Sequence, residues 1–169
     1  GLSTSNIVIP NPALREQFDA EVQSLGLGLS NTFGITACEA AYRFGAPWLD
    51  ALLPYLWENF RTLVSFARAR LPWMNVLPLE GTYLAWLDCA KLGLSDSELV
   101  DFFGRKARVW CDEGVKFGSG GEGFMRMNIA CPRSTLVEAL ERLERAASAG
   151  SRQPGVYCIE KRERSSQES

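Results

Sequence analysis

The segment Gly121-Glu122-Gly123-Phe124-Met125-Arg126-Met127-Asn128-Ile129-Ala130-Cys131-Pro132 constrains the fold most, because it sets a strand between a glycine-rich reversal of the chain and a proline that opens a helix. Arg126 and Asn128 stand two apart and project to one face of that strand, amid Phe124, Met125, Met127 and Ile129. A guanidinium held among apolar neighbours is costly unless it meets an anion, and its planar fork suits a carboxylate. Two kinds of partner meet that need: an internal Asp or Glu, or the carboxylate of a ligand.

The flanking chain alternates helices and short strands. A short buried strand is expected over 5–9. Asn11-Pro12 supplies an N-cap with proline at the first helical position, and Leu14, Phe18, Val22 and Leu25 recur at helical spacing until Gly26. A second helix is expected over 32–44, with Gly45-Ala46-Pro47 to stop it. The longest helical pattern, carried by Trp48, Leu52, Tyr55, Leu56, Phe60, Leu63 and Phe66, runs over 48–70. Pro54 falls inside it, to kink it or mark its beginning. Residues 76–81 and 82–88 read as two strand segments, 109–115 as another, and Asp112-Glu113 as a solvent-facing turn. Ser95-x-x-Glu98 and Thr135-x-x-Glu138 are capping-box patterns, the second opening a helix lined by Leu136, Leu140 and Leu143. From 147 the pattern ends, and 147–169 reads as a mostly disordered polar tail.

Composition narrows the chemistry. With 169 residues and 46% hydrophobic content the chain can bury one core or fill parts of two. A net charge of -2 with both signs interspersed points to no nucleic acid and no anionic membrane. No run approaches the roughly eighteen apolar residues of a membrane span, and no signal peptide is evident, so a cytoplasmic protein is expected. Cys38, Cys89, Cys111, Cys131 and Cys158 are scattered and form no C-x-x-C, the pattern of reduced core thiols rather than of a metal site or disulfide framework. Histidine is absent, which removes Ser-His-Asp and Cys-His catalysis and the H-E-x-x-H zinc site. Chemistry would fall to Lys, carboxylates, Tyr, Cys or a cofactor.

The order from 73 to 146 is strand, strand, helix, strand, strand, helix: an α+β (α/β) arrangement with a small mixed sheet packed by helices. Residues 1–47 supply too little sheet to close a core and read as the remnant of a larger domain. Residues 48–72 form the connecting helix and 73–146 a C-terminal small domain.

Taken in order, these segments resemble the C-terminal half of fold-type I pyridoxal-phosphate (PLP) enzymes, in the cystathionine β-lyase-like carbon–sulfur lyase branch of the class I/II aminotransferases. The matching stretches are Gly1-Leu2-Ser3-Thr4-Ser5 with Ile9-Pro10-Asn11, Asn31-Thr32-Phe33-Gly34, Glu39-Ala40-Ala41-Tyr42, Trp48-Leu49-Asp50, Glu80 through Asp88, Phe117-Gly118, and Gly121 through Arg133. Any one piece is weak, and the ordered series over 1–146 is specific.

The resemblance implies a homodimeric, PLP-dependent β-lyase acting on a small sulfur-containing amino acid and releasing pyruvate, ammonia and a thiol, with transamination as the nearest alternative. It implies that Arg126 grips the substrate α-carboxylate, that Asn128 supports it, and that Asn31 and Thr32 reach the cofactor phosphate of a partner subunit; a helix N-cap explains Asn31 or Thr32 equally well. Tyr83 is a weaker substrate-binding candidate, and Tyr83 and Trp86 are also expected as core packing. The Schiff-base lysine of the family lies just before the segment matching Gly1-Leu2, and none of Lys91, Lys106, Lys116 and Lys161 occupies its position. The chain alone is therefore expected to lack its catalytic base and its cofactor, with the N-terminal half of the same protein as its missing partner. A reading of another class is an inert fragment that acts as a self-associating module.

Overall fold

A computed structural model describes residues 2–28 and 31–150. The chain divides into two compact units, Gly1–Tyr55 and Leu56–Ser169, and each is treated by itself. In the first, helix α1 spans Pro12–Ser24, with Asn11 as N-cap accepting from the backbone N–H groups of Ala13 and Leu14. Helix α2 spans Thr32–Phe44 and is capped by Asn31. Helix α3 begins at Ala46 and runs unbroken through Pro54 to Arg70, so its first turns belong to this unit. Its apolar faces are open: α1 buries no residue, α2 buries only Gly34, and Phe33, Tyr42 and Phe44 stay exposed. The strand expected over 5–9 does not form, and Val8 is 84% exposed. A strand without a ladder leaves its backbone groups to water, and no described segment pairs with this one.

The second unit is a four-stranded sheet with helices. Strand β1 is Asn75–Val76 and β2 is Leu84–Asp88. Helix α4, Asp96–Asp101, opens on the expected capping box: the Ser95 hydroxyl accepts from the Glu98 N–H, and the Glu98 carboxylate accepts from the Ser95 N–H. These bonds from Ser95 hold the Glu98 carboxyl below its ordinary range. A π-helical turn, Phe102–Lys106, follows, then β3, Asp112–Glu113, a short 3-10 turn over Gly114–Phe117, β4, Phe124–Asn128, and helix α5, Arg133–Gly150.

The sheet order is β1-β2-β4-β3 and every pairing is antiparallel, where the sequence suggests a mixed sheet. For β1–β2 and β3–β4 the short reversals leave no room for the crossover that parallel strands require: one seven-residue loop joins β1 to β2, and a glycine-rich loop joins β3 to β4. That loop depends on two buried glycines. A Cβ on Gly114 would meet the Gly121 carbonyl oxygen at 2.2 Å, and one on Gly121 would meet the Gly114 carbonyl oxygen at the same distance.

Period two sorts the sheet. Ala85 and Leu87 of β2 and Met125 and Met127 of β4 are buried and join Phe60, Leu63 and Ala67 of α3, Leu71 just after it, and Leu136, Leu140 and Leu143 of α5 in one core. Two boundaries of α5 differ from the sequence reading. It starts at Arg133, so Thr135 lies within its first turn and caps nothing, because the chain turns helical directly after Pro132. It also continues past 147 to Gly150, with Ala146 and Ala147 packed on the core; the rest of the expected tail, 151–169, lies outside the described residues.

One buried polar side chain ties α3 to the turn after β4. Asn59 has no exposed surface; its amide donates to the carbonyls of Ile129 and Cys131, both at 2.9 Å, and its Oδ1 accepts from Arg133 Nε at 3.2 Å. Replacing it by Ala takes the amide donor away from the buried carbonyls of Ile129 and Cys131. Asn59→Ala is expected to lower unfolding free energy by about 2 to 3 kcal/mol. Urea denaturation checks this, and an unchanged midpoint would show that water replaces the amide without cost.

Candidate functional site

The opposite face of the β2–β4 pair carries the polar and aromatic side chains. Register sets Trp86 opposite Arg126, Asp88 opposite Phe124, and Asp112 of β3 opposite Arg126 from the other side. Arg126 Nη2 donates to Asp112 Oδ2 at 2.6 Å and Nε donates to the same oxygen at 3.2 Å. The guanidinium carbon lies 4.4 Å from the centroid of Phe117, which the 3-10 turn brings over it. Trp86 meets Phe117 edge to face at 5.4 Å and stacks on Phe124 at 5.8 Å. The Arg126 side chain is 28% exposed, so this is a half-buried cation on an aromatic floor and not a core ion pair.

The internal-acid alternative for Arg126 is thus realised, and Asp112 is the partner. Asp112 and Glu113 form a strand edge rather than a solvent-facing turn: Asp112 pairs with Arg126, and Glu113 holds Lys116 at 2.9 Å. The signal in the sequence was the glycine-rich reversal itself, which folds 112 back onto 126 as an antiparallel pair. Phe117 and Trp86 belong to the same cluster; Trp86 sits on this face and not among the buried residues.

The other sequence candidates lie apart from the guanidinium. Asn128 shares its face, but its side-chain oxygen accepts from the Ala130 N–H at 2.8 Å and shapes the end of the strand. Tyr83 is exposed just before β2, with its carbonyl accepting from the Ile129 N–H at 2.9 Å. Asn31 caps α2 by accepting from Phe33 and Gly34 N–H groups, and Thr32 is the first residue of that helix. Where the β3–β4 ladder stops, a cavity of about 440 Å³ opens, lined among others by Arg108, Trp110, Asn128, Cys131 and Arg142; Arg126 does not line it.

A cofactor held on a lysine needs a sheltered amine. Lys91, Lys106 and Lys116 are exposed, Lys116 is engaged by Glu113, and Lys161 lies outside the described residues. The described residues thus hold a partly exposed guanidinium paired with Asp112 and no sheltered amine, and by themselves they do not fit PLP. Nor, among them, do three or more Asp, Glu or Cys side chains gather as a metal site. No helix among them is long and apolar enough to cross a membrane.

No family model matches the chain. It is 43% identical over 148 residues to the cystathionine beta-lyase PatB of Bacillus subtilis (strain 168), a match covering 88% of this chain and 38% of that protein. Protein MalY of Escherichia coli (strain K12) is 35% identical over 143 residues, covering 84% of this chain and 37% of that one. Among solved structures, cystalysin from Treponema denticola, which contains pyridoxal 5'-phosphate, matches with a TM-score of 0.79 at 36% identity, covering 86% of this chain and 37% of that one. The PLP-bound C-S lyase from Staphylococcus hominis matches with a TM-score of 0.72 at 31% identity over 83% of this chain and 36% of that one. The chain therefore spans less than two fifths of the length of these relatives.

Cys38, Cys89, Cys111 and Cys131 are free thiols, and Cys158 lies outside the described residues. Burial pushes the Cys89 thiol up from 9.0 to about 12, helped by Asp88 and Cys111; burial and then Asp112 push Cys111 up to about 12. Both stay neutral and unreactive near neutral pH, the state expected of core thiols. An unfolded chain releases these protons from about pH 9, whereas the folded chain retains them to about 12. Their contribution to stability is therefore complete below pH 9 and lost as pH rises toward 12. Denaturation midpoints should fall between pH 8 and 10.5, and alkylation at pH 8 should spare Cys89 and Cys111; equal labelling of these two with Cys38 would contradict the assignment.

Proposed function

We propose that this chain, which belongs to the cystathionine β-lyase-like branch of the PLP-dependent enzymes, is the part of a carbon–sulfur β-lyase that binds the α-carboxylate of a small sulfur-containing amino acid. The observation that carries the reading is Arg126: a guanidinium on strand β4, covered on one face by Phe117, which Trp86 meets in turn, partly exposed, and within the stretch that resembles the family. A charge-assisted, fork-shaped contact there would fix both the position and the rotation of an amino acid. In the longer protein, PLP would supply the electron sink for charge at the substrate Cα. The contribution of this chain is to hold the substrate, with the base and cofactor anchor supplied from elsewhere.

On the same reading the longer protein is a cytoplasmic homodimer. The exposed apolar faces of α1 and α2 support an assembly in which further chain, or a second subunit, covers them. Asn31 and Thr32 stand at the N-terminus of α2, where backbone N–H groups favour an anion such as a cofactor phosphate. Those same faces also suit self-association of the chain by itself, which sedimentation at several concentrations separates from a monomer. Transamination shares the Cα deprotonation, and pyruvate release from cystathionine by the longer protein decides for the lyase.

In that longer protein Arg126→Ala should lower kcat/KM for cystathionine by the equivalent of about 2 to 4 kcal/mol, with KM raised. Unchanged kinetics would leave Arg126 as a structural partner of Asp112 alone. The 169-residue chain by itself is expected to give no absorbance band of a lysine-linked cofactor. Such a band, abolished by changing one of its four lysines, would overturn the division of labour.

A further inference from the structure

We infer that Asp112 is a positioning residue for Arg126, holding one edge of the guanidinium so that the other edge is presented to a carboxylate; this rests on the reading of Arg126 as a carboxylate ligand. A guanidinium carries donors at Nε, Nη1 and Nη2 and offers two edges to a planar acceptor. Asp112 takes the Nε–Nη2 edge with a single oxygen, Oδ2. Phe117 covers one face at 4.4 Å. Nη1 donates to no described residue, and the side chain keeps 28% of its surface. One edge and one face are therefore fixed, and the Nη1–Nη2 end is open.

An acid placed beside a binding arginine can act in two opposite ways. As an internal competitor it would occupy the donors a ligand needs and cancel the charge that attracts it. As a positioning group it would fix a long, flexible side chain beforehand, so that a ligand does not bear the cost of ordering it. The geometry separates the two. A competitor would take the terminal edge with both oxygens, whereas Asp112 lies on the side edge and leaves Nη1 unused. At 42% side-chain exposure, Asp112 is also screened by water, which weakens its repulsion of an incoming carboxylate.

Two substitutions part hydrogen bonding from charge. Asp112→Asn keeps an oxygen that can accept from Nε and Nη2 but removes the charge; Asp112→Ala removes both. The readout is the Arg126 Nε–H signal in proton–nitrogen NMR of the full 169-residue chain, assigned by its loss in Arg126→Lys. Acetate and L-alanine are titrated at constant ionic strength against chloride, and the β4 amide signals report that the fold is kept. With Asp112 as a positioning residue, carboxylates shift the wild-type signal without releasing it. Asp112→Ala should broaden the signal and weaken carboxylate binding about fivefold, whereas Asp112→Asn should stay within about twofold of wild type. Tighter binding in both variants would make Asp112 a competitor and overturn the inference while leaving Arg126 a ligand. No carboxylate-specific response in wild type would overturn the reading of Arg126 and this inference with it.

Discussion

The antiparallel pairing of β2 with β4 is the constraint on which the second unit depends. Its register, Trp86 against Arg126 and Leu87 against Met125, assigns every side chain of both strands to a face. A slip of one residue would carry Met125 and Met127 out of the core and drive Arg126 into it, at the cost of burying an unpaired cation. The core and the candidate site are thus two consequences of a single alignment. The close approach of Gly114 and Gly121 shapes the loop that sets β3 beside β4, and Asn59 ties the end of β4 to α3 by holding the carbonyls of Ile129 and Cys131.

Local patterns that carry their own physical cause were legible in the residues. Asn11-Pro12, Asn31 and the Ser95–Glu98 box mark helix starts because their side chains satisfy backbone donors within three residues, and all three form as read. The long 48–70 pattern is one helix, with Pro54 accommodated inside it. What was not legible depends on distant partners. The 5–9 segment has strand composition but no described neighbour to pair with. Thr135–Glu138 has the form of a capping box, yet Pro132 and Arg133 start the helix earlier.

The site was half legible for the same reason. Arg126 stands out from its own neighbours, because a cation in an alternating apolar strand needs an explanation. Asp112 does not, since an acid beside another acid on a short segment looks like solvated surface. Only when the glycine-rich reversal is read as the loop of a hairpin does 112 fall beside 126. Phe117 is similarly silent, being one aromatic in a turn until that turn is folded over the guanidinium.

Two explanations of Arg126 that compete at the level of sequence become compatible once the edges of the guanidinium are counted. An internal acid and a ligand carboxylate exclude each other only if they need the same donors, and Asp112 takes two from one side. The arrangement also fits the residues the chain lacks. With no histidine in the sequence and its described lysines exposed, the chain offers charge and shape in preference to proton transfer. Binding energy at a carboxylate, away from the bonds that change, aids a reaction only to the extent that it fixes the orientation of the reacting carbon. That places the demand on the rigidity of the arginine and not on its affinity, and a guanidinium held on one edge and one face meets the demand better than a free one.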